Sequence, residues 1–575
     1  MHDRKALVLG NPAIARLIAD QMENFDTLIA EEDSPLRDVS ELKAALAAFF
    51  AANSSGSSAA RLWVHPGVSP WASRPELPIL AQEIGLHVVA PPVRALHFFW
   101  NKAALFLEAE SLGIPNLALD FDPLHTIREI EHAISGYRHP FPFVLKTLKA
   151  SGHMGIIVIH AEEELKTRLP LWLEQLRKNQ GEVLLFAERY LEGARHLVLP
   201  FARFENGDFE AFPVSDASLQ CRFRKIAEFC PASGIDDVME TRLRGWTREL
   251  ADRCGYVGVG VLEFLIDGSR AFLVEGSPRL NANFPLWEKI AGTRAVSWQL
   301  ATILGEKRPA LQPKWRSGVA LRLYAEDPIL QLPQPGVVKE ISEKKEWDFP
   351  SARAELSLGI KLGQDLESQG VDGWLGQLFV CAQNMRQALD IARGALGEIW
   401  IAGSLETNER FLSELLSHPW VKESVFHAGF VDEEFLSETR PPAELSKIAA
   451  RAAREGISGT ATLEDGRKMR IHVFPIAPKK WRVRVGNWFF KIREQNLSLA
   501  QPKVLSLLPG RVYALYFREG STVPAHEPLV ILESLGILVP HSLPVDAKIV
   551  RWKIKPEDRV QAGQELVEVE IAAKN

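Results

Sequence analysis

Short apolar runs alternate with stretches of helical period at the start of the chain. KALVLG (5–10), RLWVHPG (61–67) and LHVVAPP (86–92) read as strands, and NPAIARLIADQM (11–22) and ELPILAQEIG (76–85) as helices. Strand–helix alternation predicts an α/β domain with a parallel sheet, and NSSGSSA (53–59) a flexible loop within it. From WNKAALFLEAESLGIP (100–115) the pattern changes to α+β. FPFVLK (141–146) and GIIVIH (155–160) read as strands joined by TLKASGHM, a helix is expected near 162–178, and LLFAERYL (184–191) is the next strand. GVALRLYAEDP (318–328) precedes further short strands and the helix QALDIARGALGEI, and ETRPPAELSKIAA (438–450) reads as a boundary.

The stretch VLEFLIDGSRAFLVE (261–275) has two apolar runs around Asp267-Gly268-Ser269, a hairpin signal. A turn centred near Ser269 sets Glu263 opposite Glu275. Opposed side chains in an antiparallel pair sit about 4.5–5.5 Å apart at Cβ, where like charges destabilise the sheet. Either a divalent cation joins the two carboxylates, as Mg²⁺ does with one or two carboxylates plus phosphate oxygens, or one glutamate ends the hairpin in solvent. Beyond residue 450 the pattern is all β. TATLEDGRKMRIHVFP and KKWRVRVGNWFFKI read as hairpins, and 507–533 matches 543–570 as an internal duplication, which suggests a small barrel-like sandwich of pseudo-twofold symmetry.

The chain has 575 residues, too many for one core, so several domains are expected. Its 67 basic and 73 acidic residues leave a net charge of −6, which gives no electrostatic case for nucleic acid. No apolar run reaches membrane-spanning length, the first residues lack a signal-peptide pattern, and four scattered cysteines without CxxC fit a reducing cytoplasm.

Several positions are candidates for anion chemistry. Lys146 ends an apolar strand before a loop with Lys149, Gly152 and Gly155, which is either a phosphate cradle or a plain turn. Lys102 opens a helix. Glu188-Arg189-Tyr190-Leu191 is either a main-chain adenine seat or a linker. Arg222, Arg224 and Lys225 gather around Gln220, as an anion site or as a solvated face. Arg279 and Arg322 are separate candidates for anion clamps, and Arg322, inside VALRLY, needs a partner from protein or ligand.

Taken in order, HPG (65–67), WNK (100–102), PFVLK (142–146), ERYLEGARH (188–196), SLQCRFRKIAEFCPA (218–232), LEFL (262–265), VEGSPRLNANFP (274–285) and LRLYAEDP (321–328) resemble biotin carboxylase, the ATP-grasp component of biotin-dependent carboxylases. LPQPGVV (332–338) and ALDIARGALGEIWIAGSLETN (388–408) extend the likeness to about residue 435, and the C-terminal repeats are similar to a biotinyl (lipoyl-type) domain. The implied fold is a pre-ATP-grasp α/β domain (1–95), an ATP-grasp domain (96–312, lid about 117–187) and a carboxylase C-terminal domain (313–437). A β-rich connecting region (438–500) and an all-β biotinyl/lipoyl-like barrel-sandwich (501–575) follow.

The resemblance also implies roles. Lys102, Lys146 and the loop with Gly152 and Gly155 would hold ATP phosphates. Glu188, Arg189 and Leu191 would hold adenine, with His196 and Gln220 lining the nucleotide pocket. Glu263 and Glu275 would carry Mg²⁺ (or Mn²⁺), with Ser277 where the family has an asparagine metal contact. Lys225, Arg279 and Arg322 would hold bicarbonate and biotin. In the family, ATP and bicarbonate give carboxyphosphate, whose CO₂ carboxylates biotin. Implied partners are a biotin carrier and a carboxyltransferase subunit, in a homodimer or larger complex.

The departures are specific. Asn283 stands where the family has its bicarbonate-deprotonating glutamate, and an amide is no proton acceptor. Phe284 and Phe223 replace histidines. Gly536, in Glu533-Ser534-Leu535-Gly536-Ile537, stands where the family has its biotin-accepting lysine, so no biotin is attached to this chain. Three functions therefore remain: a ligase acting on biotin carried by another protein, a degenerate scaffold or regulatory subunit, and an ATP-grasp ligase redirected to another carboxylate.

Overall fold

The computed structural model describes residues 4–30, 38–54, 62–147, 155–166, 168–180, 183–327, 331–366, 373–436, 443–455, 459–462, 468–477, 480–485, 488–493, 503–524, 527–535, 537–543 and 546–571. The N-terminal unit is a four-stranded parallel sheet in the order Phe25–Ile29, Arg4–Val8, Leu62–His65, His87–Val88. Phe25–Ile29 escaped the sequence pattern because it is an edge strand of mixed burial, with Asp26 and Leu28 exposed. The HPG motif is structural here. His65 is buried, its Nε2 3.1 Å from Gln299 Oε1, and its Nδ1 accepts from the Gly67 N–H. Gly67 has φ +60°, and a Cβ there would lie 1.9 Å from the Leu9 carbonyl oxygen, so only glycine closes this turn.

The predicted lid has its own core. Its three-stranded sheet runs Ile156–Ile159, Phe143–Thr147, Leu185–Arg189, over which Ile130, Leu165 and Leu173 are buried. The helix expected near 162–178 is two, Glu162–Lys166 and Arg168–Gln180. The NSSGSSA loop beyond Ser54 and the 148–154 loop, with Lys149 and Gly152, lie outside the described residues.

A ten-stranded sheet forms the centre of the molecule. It contains the acidic hairpin Gly258–Asp267 and Arg270–Ser277, then Arg195–Arg203, Ala227–Cys230, Ser317–Tyr324 and Trp374–Ala382. The sheet passes through the expected boundary at 312, so the second and third units share one hydrogen-bonded framework. Helix Ala443–Glu455, read from sequence as a boundary, packs on the four-stranded sheet of residues 459–493.

The duplication is visible in the last unit. One sheet runs Lys503–Leu505, Glu565–Ile571, Ala547–Trp552, Thr522–Val523, and the other Ile537–Ser542, Pro528–Ser534, Gly510–Leu515, Arg559–Val560. Each half gives two strands to one sheet and its short strand to the other, the exchange expected of a pseudo-twofold pair. Gly536 lies outside the described residues, but Leu535 beside it is 7 % exposed, has φ +48° and joins the core of the third unit. Leu332, Leu508 and Val539 form a second apolar contact between these units.

Candidate functional site

The register places Glu263 opposite Glu275, as the sequence pattern predicts. It does so through an irregularity between Glu263 and Phe264. Phe264 pairs with Leu273, so Val274 is an extra residue, a β-bulge. Without it the two-residue turn would pair Glu263 with Val274. The Val274 carbonyl accepts a hydrogen bond from Lys102 Nζ at 3.0 Å. Gly276 permits this arrangement. A Cβ there would meet Phe99 and Leu105 at 2.7–2.9 Å, so glycine lets the flanking helices close onto the acidic strand and bring Lys102 to it.

The two carboxylates have unlike surroundings. Glu263 is 5 % exposed. Its Oε1 accepts from Lys225 Nζ at 2.5 Å and its Oε2 pairs with His196 Nε2 at 2.6 Å. His196 Nδ1 in turn lies 2.7 Å from Gln220 Nε2, which can only donate, so Nε2 carries the proton that faces Glu263. Burial opposes ionisation of Glu263, yet Lys225 and His196 hold its carboxyl well below the usual carboxylate range. Glu275 is exposed and makes no ion pair or hydrogen bond among the described residues. Ser277 lies two residues on, nearly buried, paired with Val261.

Opposite this pair, Glu188 is 1 % exposed and receives both candidate phosphate lysines, Lys146 at 2.6 Å and Lys102 at 3.4 Å. Burial opposes its charge, but the two ammonium groups lower its pKa. For Lys102, burial is outweighed by Glu188 and Glu275, and its pKa rises; for Lys146, burial and the charge on Lys102 win, and its pKa falls. Beside them, the Arg189 N–H donates to Leu117 O and the Tyr190 N–H to Pro142 O. Arg189 stacks over Phe272, while Leu191 packs with Leu117, Phe272 and Val274 on an apolar wall. Gly155 is buried where the strand resumes after the loop.

The basic cluster around Gln220 is taken apart by the structure. Gln220–Cys221 and Arg224–Lys225 form a tight hairpin whose turn residues, Arg222 and Phe223, have φ +50° and +63°. Non-glycine residues are strained there. Arg222 is tied to the Gln331 carbonyl, Arg224 to Glu326 and Lys225 to Glu263, so only Lys225 faces the acidic hairpin.

Arg279 and Arg322 do come together. Burial, joined by the charge on Arg322, lowers the pKa of Arg279, although Glu275 and Glu263 act against this. Among the described residues, Arg279 donates only to the Leu280 carbonyl, Arg322 lies over the Trp374 ring, and Arg322 Nε is buried without a hydrogen bond. Among the described residues neither guanidinium has an ion pair. Two such cations with no carboxylate in contact have the chemistry to hold an anion.

Sequence reasoning missed Glu228. It is 1 % exposed, and its Oε2 accepts from Asn283 Nδ2 at 2.5 Å. The signal available was a carboxylate in the apolar run KIAEFCPA, the same signal used for Arg322.

Residues 121–311 match the family model for the carbamoyl-phosphate synthase L chain, ATP binding domain, and residues 320–433 that for the biotin carboxylase C-terminal domain. The alpha subunit of mitochondrial methylcrotonoyl-CoA carboxylase from Rattus norvegicus is 27 % identical over 382 residues, 65 % of this chain and 51 % of that one. A biotin carboxylase from Halalkalibacterium halodurans is 24 % identical over 378 residues, covering 65 % of this chain and 80 % of that one. The chain thus spans about half the length of the methylcrotonoyl-CoA carboxylase subunit. Among solved structures, the biotin carboxylase domain of Hydrogenobacter thermophilus 2-oxoglutarate carboxylase, with MgADP, ADP and bicarbonate, superposes with a TM-score of 0.68 at 21 % identity, over 77 % of this chain and 99 % of that one. A single-chain, multi-domain long-chain acyl-CoA carboxylase covers 99 % of this chain and 51 % of its own, with a TM-score of 0.59 and 21 % identity. The chain belongs to the biotin carboxylase family.

Proposed function

We propose that the protein is an ATP-dependent ligase that activates bicarbonate with Mg·ATP and passes the carboxyl group to biotin on a separate carrier, as a divergent subunit of an acyl-CoA carboxylase system. The observation that carries this reading is the Arg279–Arg322 pair, two cations without an ion-pair partner among the described residues, close to the acidic hairpin. ATP would lie between the Glu188–Leu191 segment and the acidic hairpin, with Lys102 and Lys146 transferring from Glu188 to its phosphates. Leu191 supplies an apolar wall for adenine, and the Gln220–His196 pair orients Glu263.

The donors present suit Mg²⁺ or Mn²⁺. Glu275 has no partner among the described residues, Glu263 faces it, and no cluster of three or more His, Cys, Asp or Glu side chains occurs among the described residues. Such a site holds a hard cation through two carboxylates completed by phosphate oxygens, with Ser277 nearby. The cation would neutralise charge on the transferring phosphoryl group. The turn that would carry biotin in the family is tied down here through Leu535, which favours a carrier on another protein.

One observation favours a second reading, a scaffold or regulatory subunit: Glu263 is already engaged by the Lys225 ammonium and the His196 imidazole. The two separate by assay. Purified protein with ATP, Mg²⁺, bicarbonate and free biotin is expected to release ADP at a rate that depends on bicarbonate and rises with biotin. ATP binding without ADP release would establish the scaffold instead, and ADP release only with some other acid would point to a redirected ligase.

A further inference from the structure

Residues 227–230 form a fully buried strand of the central sheet, and Glu228 is its only charged residue. A carboxylate there is costly unless something specific holds it. Asn283 Nδ2 satisfies Oε2, but Oε1 is buried with no hydrogen bond, and so is Asn283 Oδ1. Ser215 lies close enough to favour the ionised carboxylate but makes no hydrogen bond to it. Glu228 pairs across the strands with Ala320, so Arg322, two residues along, projects from the same face. Arg322 Nε is a buried donor without an acceptor, and Arg279 lies beside it.

Among the described residues this corner therefore holds the acceptors Glu228 Oε1 and Asn283 Oδ1 without a hydrogen bond, together with the Ser215 hydroxyl, the Gln377 amide and one cationic donor, Arg322 Nε. Its complement is a small anion that also carries an O–H. The Ser215 hydroxyl can serve one acceptor, so a fully deprotonated anion would still leave the other unpaired, and a neutral alcohol would leave the guanidinium charges unmatched. Bicarbonate has one hydroxyl and two anionic oxygens.

We propose that Glu228 is the general base of this site, standing in for the carboxylate that Asn283 lacks; this rests on the bicarbonate-activating reading above. Arg279, Arg322 and Lys225 hold the anionic oxygens, and the hydroxyl faces Glu228. The bicarbonate O–H bond breaks and its proton goes to Glu228 Oε1. The electron pair left on that oxygen forms a bond to the γ-phosphorus of ATP, while the γ-phosphorus–oxygen bond to the β-phosphate breaks and ADP leaves with its electrons. The products are carboxyphosphate, ADP and protonated Glu228. When carboxyphosphate breaks down to CO₂ and phosphate, the phosphate takes the proton. Asn283 keeps a positioning role, its amide N–H holding Oε2 so that Oε1 points at the anion.

Burial raises the pKa of Glu228, against the pull of Asn283, Lys225, Arg322 and Ser215. A carboxylate of raised pKa is a stronger acceptor for the bicarbonate proton than an ordinary surface glutamate.

The test uses the full chain with ATP, Mg²⁺ and bicarbonate. Glu228→Gln is expected to cut bicarbonate-dependent ADP release by about 100-fold or more while leaving Mg·ATP affinity unchanged. Glu228→Asp, which keeps a carboxylate, is expected to retain part of the rate and to move the acidic limb of its pH profile. Adding Asn283→Glu to Glu228→Gln is expected to restore turnover. A wild-type rate in Glu228→Gln would overturn the proposal, as would an unmoved pH profile in Glu228→Asp or equal losses of ATP affinity and rate. If Glu228→Gln does not fold, the Glu228→Asp profile decides alone. Bicarbonate-stimulated ADP release by the wild type that survives Glu228→Gln removes only the role of Glu228. A wild type that binds Mg·ATP and shows no bicarbonate stimulation removes the functional reading and this proposal with it.

Discussion

Asn283→Glu is expected to raise bicarbonate-dependent ADP release by at least about tenfold. Asn283 is 2 % exposed and its amide touches Glu228 at 2.5 Å. A glutamate there puts two carboxyl groups in hydrogen-bond contact, and like charges that close do not both ionise, so the pair keeps one proton near neutral pH. One member then donates to the other, and the outer oxygens remain free to accept from bicarbonate. The variant carries a stability signature of its own. The shared proton is bound more tightly in the folded chain than in the unfolded one, so the pair's folded pKa is raised. Its stabilising effect is present below the ordinary glutamate range and is lost as pH rises through the raised value. The variant should match the wild type in mild acid and fall behind it in alkali. An unchanged ADP rate in a folded variant would contradict the placement of bicarbonate next to residue 283.

Lys225→Met is expected to cost about 3 kcal/mol of stability at neutral pH, because it leaves a buried carboxylate without its main counter-ion. Glu263 then has only His196, and the methionine removes charge while keeping the length of the side chain. In the wild type the folded pKa of Glu263 is depressed, so its contribution is present above the unfolded glutamate pKa and is lost as pH falls through the folded value. In the variant the unpaired carboxylate favours its neutral form, and acid relieves the penalty. The difference between the two proteins should be largest at pH 7–8 and should narrow toward pH 4, close to the ordinary glutamate pKa of about 4.3. Urea titrations across that range measure it. A deficit independent of pH would show that Lys225 acts through packing of its aliphatic stem instead.

Much of the fold was legible because its signals are local. The alternation of strands and helices before residue 95, the Asp-Gly-Ser turn and the 507–570 duplication each need only a short window of sequence. The Glu263–Glu275 register was legible for a subtler reason. It was read from a turn centred near Ser269; the turn itself is Gly268-Ser269, which alone would pair Glu263 with Val274, and the Val274 bulge restores the pairing of the two glutamates. What escaped the sequence was long-range pairing. Arg222, Arg224 and Lys225 are close in sequence but point to Gln331, Glu326 and Glu263, in two distant parts of the chain. Lys146 and Glu188 stand on neighbouring strands of the lid sheet, and Lys102 reaches Glu188 only once its helix docks there. Glu228 and Asn283 are 55 residues apart and meet through the same assembly. The seat of Leu535 in the third unit has no sequence signal, since an apolar residue at a turn tip is compatible with either a free or a docked domain.

The account depends on the facing glutamates holding a magnesium nucleotide, and calorimetric titration of Mg·ATP into the wild type and into Glu275→Gln tests that most directly. Glu275 is the better probe of the two, since Glu263 also anchors Lys225 and His196. The wild type is expected to bind, and Glu275→Gln to bind Mg·ATP about tenfold more weakly, a loss of about 1.4 kcal/mol, with its affinity for magnesium-free ATP unchanged. No heat from the wild type, or equal affinities for the two proteins, would contradict it.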